Sequence, residues 1–135
     1  MSEKITVKEF EEFIETLQDF SLGIIQFTTE NTLKPLSAYQ DLTNKETMGI
    51  EYRNAQALYE LYASQEKRVL ASFAYLNVFS LQETSWSKED TLKKADKLLK
   101  DLRSLLNSEM LAIRERLRYY QNTQYLVSNF NYGDY

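Results

Sequence analysis

The stretch SKEDTLKKADKLLKDLRSLLNSEMLAIRERLRYYQNTQYLVSN, residues 87–129, decides the fold. It contains no glycine and no proline, and its apolar residues return at helical spacing nearly throughout. Leu92, Ala95, Leu99, Leu102, Leu106, Ile113, Leu117, Tyr120 and Val127 stand three, four or seven apart, with gaps around Glu109 and Gln124. Residues so spaced fall on one stripe of an α-helix. Ser87 and Asp90 have the spacing of a capping box and mark its start. At 1.5 Å per residue the helix would be about 60 Å long. A stripe of that length is buried only by another long helix beside it.

Working outward, the neighbouring segments supply such helices. Thr6 and Glu9 form a second capping box, opening a helix over about 6–30. Phe10, Phe13, Leu17, Phe20, Ile24 and Phe27 follow in 3-4-3-4-3 spacing, with Glu11, Glu12, Glu15 and Asp19 between them. This is a heptad seam of large aromatics, as a packed core requires. The pattern falters at Asn31, and Pro35 suits the first turn of a new helix, so a break near Pro35 and a short piece over 35–43 are expected. A second long helix spans about 45–80, with Leu58, Leu61, Tyr62, Val69, Phe73, Leu76 and Phe79 as its stripe. Tyr52, Tyr59 and Tyr75 widen its apolar side. Only a short link then precedes residue 87, and short links join antiparallel helices. The expected fold is all-α. It is one elongated domain over 1–135, a helical hairpin of about 45–80 and 87–129, with the N-terminal helix packed along it. Trp86 lies at the bend, and 130–135 form a short aromatic tail.

Composition narrows the chemistry. The 135 residues hold three Gly, one Pro, no Cys and no His. Disulfides, thiolate chemistry and Ser–His or Cys–His catalysis are therefore excluded, and the commonest metal ligand and general base is missing. Gly23, Gly49 and Gly133 are isolated, so no glycine-rich loop cradles phosphate. Glu11, Glu12 and Glu15 share a helix face, but bundle metal sites draw carboxylates from several helices and add histidine. They read as surface charge. The expectation is a chain with no catalysis, no cofactor and no metal.

Charge is uneven along the chain. Residues 1–87 carry 7 basic and 13 acidic side chains, and 88–118 carry 9 basic and 6 acidic, within a net charge of −4. The basic residues Lys93, Lys94, Lys97, Lys100, Arg103, Arg114, Arg116 and Arg118 interleave with acids at helix-neighbour spacing, which describes a solvated face rather than a nucleic-acid stripe. No apolar run reaches the roughly 18 residues of a membrane span. The start, MSEKITVKEFEEF, lacks the apolar core of a signal peptide. The expected location is the cytoplasm, with export by a route needing no cleaved signal left open.

Two long antiparallel helices, Trp86-Ser87-Lys88 at their bend, and Phe130-Asn131-Tyr132-Gly133-Asp134 in the tail resemble the WXG-type proteins of type VII secretion. The tail also resembles that of the small targeting partners of LXG toxins, for which Phe-x-x-x-Asp is characteristic. Lys88 stands at the family's glycine position, and the resemblance covers residues 45–135. It implies an interaction protein whose partner is a toxin or another helical protein, with Phe130, Asp134, Tyr132 and Trp86 as partner-binding residues. The other branches of the reading are a helical adaptor, an inhibitor or immunity protein, a phage-encoded binding protein, and a self-associating subunit such as a homodimer.

Overall fold

The computed structural model describes residues 4–36, 45–82 and 89–133, with side chains up to Thr123. The described residues form three helices, α1 (Val7–Glu30), α2 (Lys45–Ser80) and α3 (Glu89–Gly133). The fold is all-α. By the 1.5 Å rise they are about 36, 54 and 67 Å long, so α1 covers only part of the hairpin made by the other two.

The heptad reading holds at residue level. Phe10, Leu17 and Ile24 are buried in α1, and Met48, Ala55, Tyr62, Val69 and Leu76 in α2. Leu99, Leu106, Ile113 and Tyr120 are buried in α3. Each row steps by seven, which keeps the seam facing its partners only when helices wind around one another left-handedly. The antiparallel course of α2 and α3 shows in their cross-links. Arg114 donates to the Tyr59 hydroxyl at 3.0 Å, and Gln121 to that of Tyr52 at 2.8 Å.

Rings fix the place of α1. Phe10 stacks on Phe79 with centroids 3.9 Å apart, Phe13 meets Tyr75 at 4.6 Å, and Phe27 meets Tyr62 edge-on at 4.8 Å. Rising numbers on α1 against falling numbers on α2 make these helices antiparallel, so α1 runs parallel to α3. The rings hold the backbones of α1 and α2 apart, whereas the small buried residues Ser21, Thr28 and Ala95 accompany a closer approach to α3.

Both ends of α1 are tied. At the start, the Thr6 hydroxyl accepts from the Glu9 amide at 3.1 Å and the Glu9 carboxylate accepts from the Thr6 amide, completing the expected capping box. Just before it, the Gln82 side chain accepts from the Ile5 amide and donates to the Ile5 carbonyl, both at 2.8 Å. At the far end, the Thr28 and Thr29 hydroxyls donate to the Ile25 carbonyl and Thr32 donates to that of Thr28. The Asn31 amide and side chain both donate to the Phe27 carbonyl. The last carbonyls are thus satisfied locally, and the helix stops.

Several boundaries and assignments need correction. The first helix ends at Glu30, within its expected span of about 6–30, and 32–35 run without regular structure, with Leu33 and Leu36 packed on the core. The short piece expected over 35–43 and the cap at Ser87 lie largely or wholly outside the described residues. Leu61, assigned to the α2 stripe, is 50% exposed, because the seven-residue row through Tyr62 turns it outward. Met48, Ala55 and Met110 are buried instead, Met110 filling the gap beside Glu109. Finally, α3 does not end at 129. Residues 130–133 continue the helix, since nothing between Asn129 and Tyr132 forbids it and the first breaker is Gly133.

Candidate partner-binding faces

An antiparallel pair of helices has two broad faces, and here they are treated differently. One face of α2–α3 is covered by α1. The other carries no helix among the described residues. It opens into a groove of about 640 Å³, with Leu70, Phe73 and Asn77 on one wall and Asp96, Lys100, Arg103, Ser104 and Asn107 on the other. From Leu70 in its wall, Ala74, Val78 and Leu81 follow at four, four and three residues on the outer side of α2 and are all exposed, Leu81 to 86%. Leu111, one step further along the α3 wall, is 54% exposed. Scattered exposed leucines are ordinary, so the aligned row is a candidate surface only.

A second groove, of about 600 Å³, lies where α1 meets α3. Ile14, Leu17 and Leu22 line it from α1, and Ala95 and Leu98 from α3. A smaller cleft of about 230 Å³ sits where Thr32–Lys34 crosses α2, against Ala55, Leu58 and Tyr120.

The electrostatics follow the sequence. On α1 the outward residues Glu9, Glu11, Glu12, Glu15, Asp19 and Glu30 are exposed. On the open face, Lys93, Lys97 and Lys100 are exposed at four- and three-residue spacing, and Lys100 pairs with Asp96 at 2.7 Å. Two tyrosines report their surroundings. Burial, with the charge of Glu109 adding to it, pushes the Tyr62 hydroxyl up to about 12. Tyr75 is raised by burial first, then by Glu9 and Glu12. Both therefore stay neutral, as buried phenols should. Arg68 lies 5.1 Å over the Phe20 ring and Arg114 5.6 Å over Tyr59, so these cations spread along aromatic surface at the helix seams.

Among the described residues no group of three or more acidic side chains is placed to hold a metal ion. No described helix is long and apolar enough to cross a membrane.

Of the residues singled out from sequence, Trp86 and Asp134 lie outside the described residues. Phe130 and Tyr132 fall on the last turn of α3, while their side chains lie outside the description. The outer row was missed because Leu70, Val78 and Leu81 stand off the core stripe. Their signal was the four-residue repeat of apolar side chains on a second face of the same helix. Comparison with protein-family models, curated proteins and solved structures gives no match.

Proposed function

We propose that this chain is a non-enzymatic helical module that binds another protein. The observation that supports it best is the uncovered groove of the α2–α3 hairpin, with Leu70 and Phe73 in its wall, together with the exposed Val78 and Leu81 elsewhere on α2 and just after it. A chain without histidine or cysteine, whose α1 carboxylates face outward, has surfaces to offer rather than reacting groups. Affinity purification with mass spectrometry tests the reading when wild type is compared with Leu70→Ser/Val78→Ser/Leu81→Ser. A protein retained by wild type and lost from the variant is expected. Identical recoveries count against it.

The type VII-like branch has its own support. The α2 and α3 helices run antiparallel, with Trp86 in the segment joining them and Phe130 on the last described turn of α3. In that branch the chain is a cytoplasmic targeting partner or substrate that leaves the cell without a cleaved signal.

A further inference from the structure

The groove between α1 and α3 has a chemistry of its own. We infer that it binds a small molecule with an apolar body and one uncharged hydrogen-bonding group, such as a hydroxyl or an amide. This goes beyond the reading of the chain as an interaction module and uses a different surface. Residue size opens the space. Along α1 the core is filled by Phe10, Phe13, Leu17, Phe20, Ile24 and Phe27, yet Ser21 stands buried among them. Ala95 lines the same groove from α3. These small side chains on the two walls accompany a groove of about 600 Å³ whose apolar lining is Ile14, Leu17, Leu22 and Leu98. Pockets that hold small molecules run to about 300–1,000 Å³.

The Ser21 hydroxyl makes the groove a seat rather than a gap in the packing. Within a helix, serine and threonine hydroxyls commonly donate back to a carbonyl one turn earlier. The other hydroxyls of α1 do so, Thr16 to Phe13 at 2.9 Å, and Thr28 and Thr29 to Ile25 at 2.7 and 3.0 Å. Ser21 is only 6% exposed and has no hydrogen-bond partner among the described residues. Every fully enclosed polar side-chain atom among those residues has one, so the Ser21 oxygen is not enclosed and opens on the groove it lines. A ligand group that pairs with it satisfies the hydroxyl while the apolar body covers Leu17, Leu22 and Leu98. Charge does not select here. Lys94 stands on the α3 rim with Asp90 one turn before it, and Glu15 is exposed beside Ile14 on α1.

The test is an NMR titration of the full chain, labelled with nitrogen-15, with 1-octanol, sodium octanoate and octylammonium chloride. 1-Octanol should bind saturably below millimolar concentration, with shifts centred on the amides of 14–22 and 91–98. Ser21→Ala keeps the space and removes the hydroxyl, and should weaken 1-octanol roughly two- to tenfold. Ser21→Leu fills the groove and should abolish binding. Leu22→Ser, at a position 59% exposed, should weaken it, with circular dichroism confirming that each variant is folded. Unchanged affinity in Ser21→Ala overturns the assignment of the hydroxyl, and with it the inference. Octanoate or octylammonium binding about tenfold tighter than 1-octanol overturns the uncharged class. No saturable binding at millimolar concentration overturns the site. So does a dimer, seen by light scattering, that Ser21→Leu makes monomeric without any octanol binding to wild type, since the groove then seats a second copy.

Discussion

Tyr62 is the residue on which the seam and the end of α1 converge. Its ring is fully buried against Phe27, and its hydroxyl donates to the Asn31 carbonyl at 3.2 Å. Asn31 also caps the helix through Phe27, so one phenol closes the last turn of α1 onto the middle of α2. Tyr62→Phe keeps the ring and deletes that bond, which should cost about 1 kcal/mol. A melt showing no loss would mean that the ring alone holds the junction. The same hydroxyl governs the alkaline limit. Its folded-state value of about 12 lies above the ordinary value of 10.0, so the folded state keeps a proton that the unfolded chain gives up. Stability from this group is complete below pH 10 and declines as pH rises from 10 toward 12. Tyr75 is raised in the same direction and adds to the decline. Denaturant melts from pH 8 to 12 should therefore be level and then fall, with a shallower fall in Tyr62→Phe.

At the scale of the element, α1 was legible at both ends, opening at the Thr6–Glu9 box and closing at Glu30, where the apolar pattern falters. The Thr6–Glu9 box is local, and its two partners are readable three residues apart. The hydrogen bonds that close the helix depend on which of Thr28, Thr29, Asn31 and Thr32 turn back to free carbonyls, a competition that spacing alone does not rank. Met48 and Ala55 escaped notice for a related reason. A small or flexible apolar residue is buried by what faces it, and only the hairpin pairing supplies that neighbour. The Gln82–Ile5 pair, 77 residues apart, was beyond any local pattern. It fastens the start of α1 to the end of α2 with two hydrogen bonds. Gln82→Ala should cost roughly 1–3 kcal/mol and expose the first turn of α1 to proteolysis before the rest melts. Unchanged cleavage near Ile5 would show the clamp to be dispensable. The middle of α1 holds a reserve of stability. Gly23 is exposed within the helix, and a Cβ there would meet nothing within 4 Å. Gly23→Ala should therefore stabilise the protein by about 0.5–1 kcal/mol, a rise that calorimetry would detect.

Over the whole molecule, the hairpin has a closed end near α1 and an open end toward the C-terminus. Tyr52 bonds Gln121, so stepping seven residues outward on each helix pairs Lys45 with Ser128. Phe130 therefore sits beyond the level at which α2 begins, on a turn of α3 that α2 does not flank. The aromatic-x-x-x-acid spacing from Phe130 to Asp134 is one helical turn, which in a continuing helix would set an apolar anchor and a carboxylate on the same side. An anchor of that kind typically loses about 2 kcal/mol on truncation, some thirtyfold in affinity. A change outside the packed seam should move folding stability by no more than about 0.5 kcal/mol. Under the proposed type VII-like reading, Phe130→Ala/Asp134→Ala should abolish export or partner-dependent delivery while the melting temperature stays in place. Leu102→Asp, which puts a charge into a buried position of the same helix, is the contrasting control. Its cost of several kcal/mol against a total of roughly 5–15 should unfold the chain and remove delivery with it. A tail variant that melts several degrees early would show Phe130 to be packing, and one that delivers normally would remove the tail from the binding surface. Only the separation of the two effects, delivery lost with the fold retained, assigns recognition to the last turn of α3.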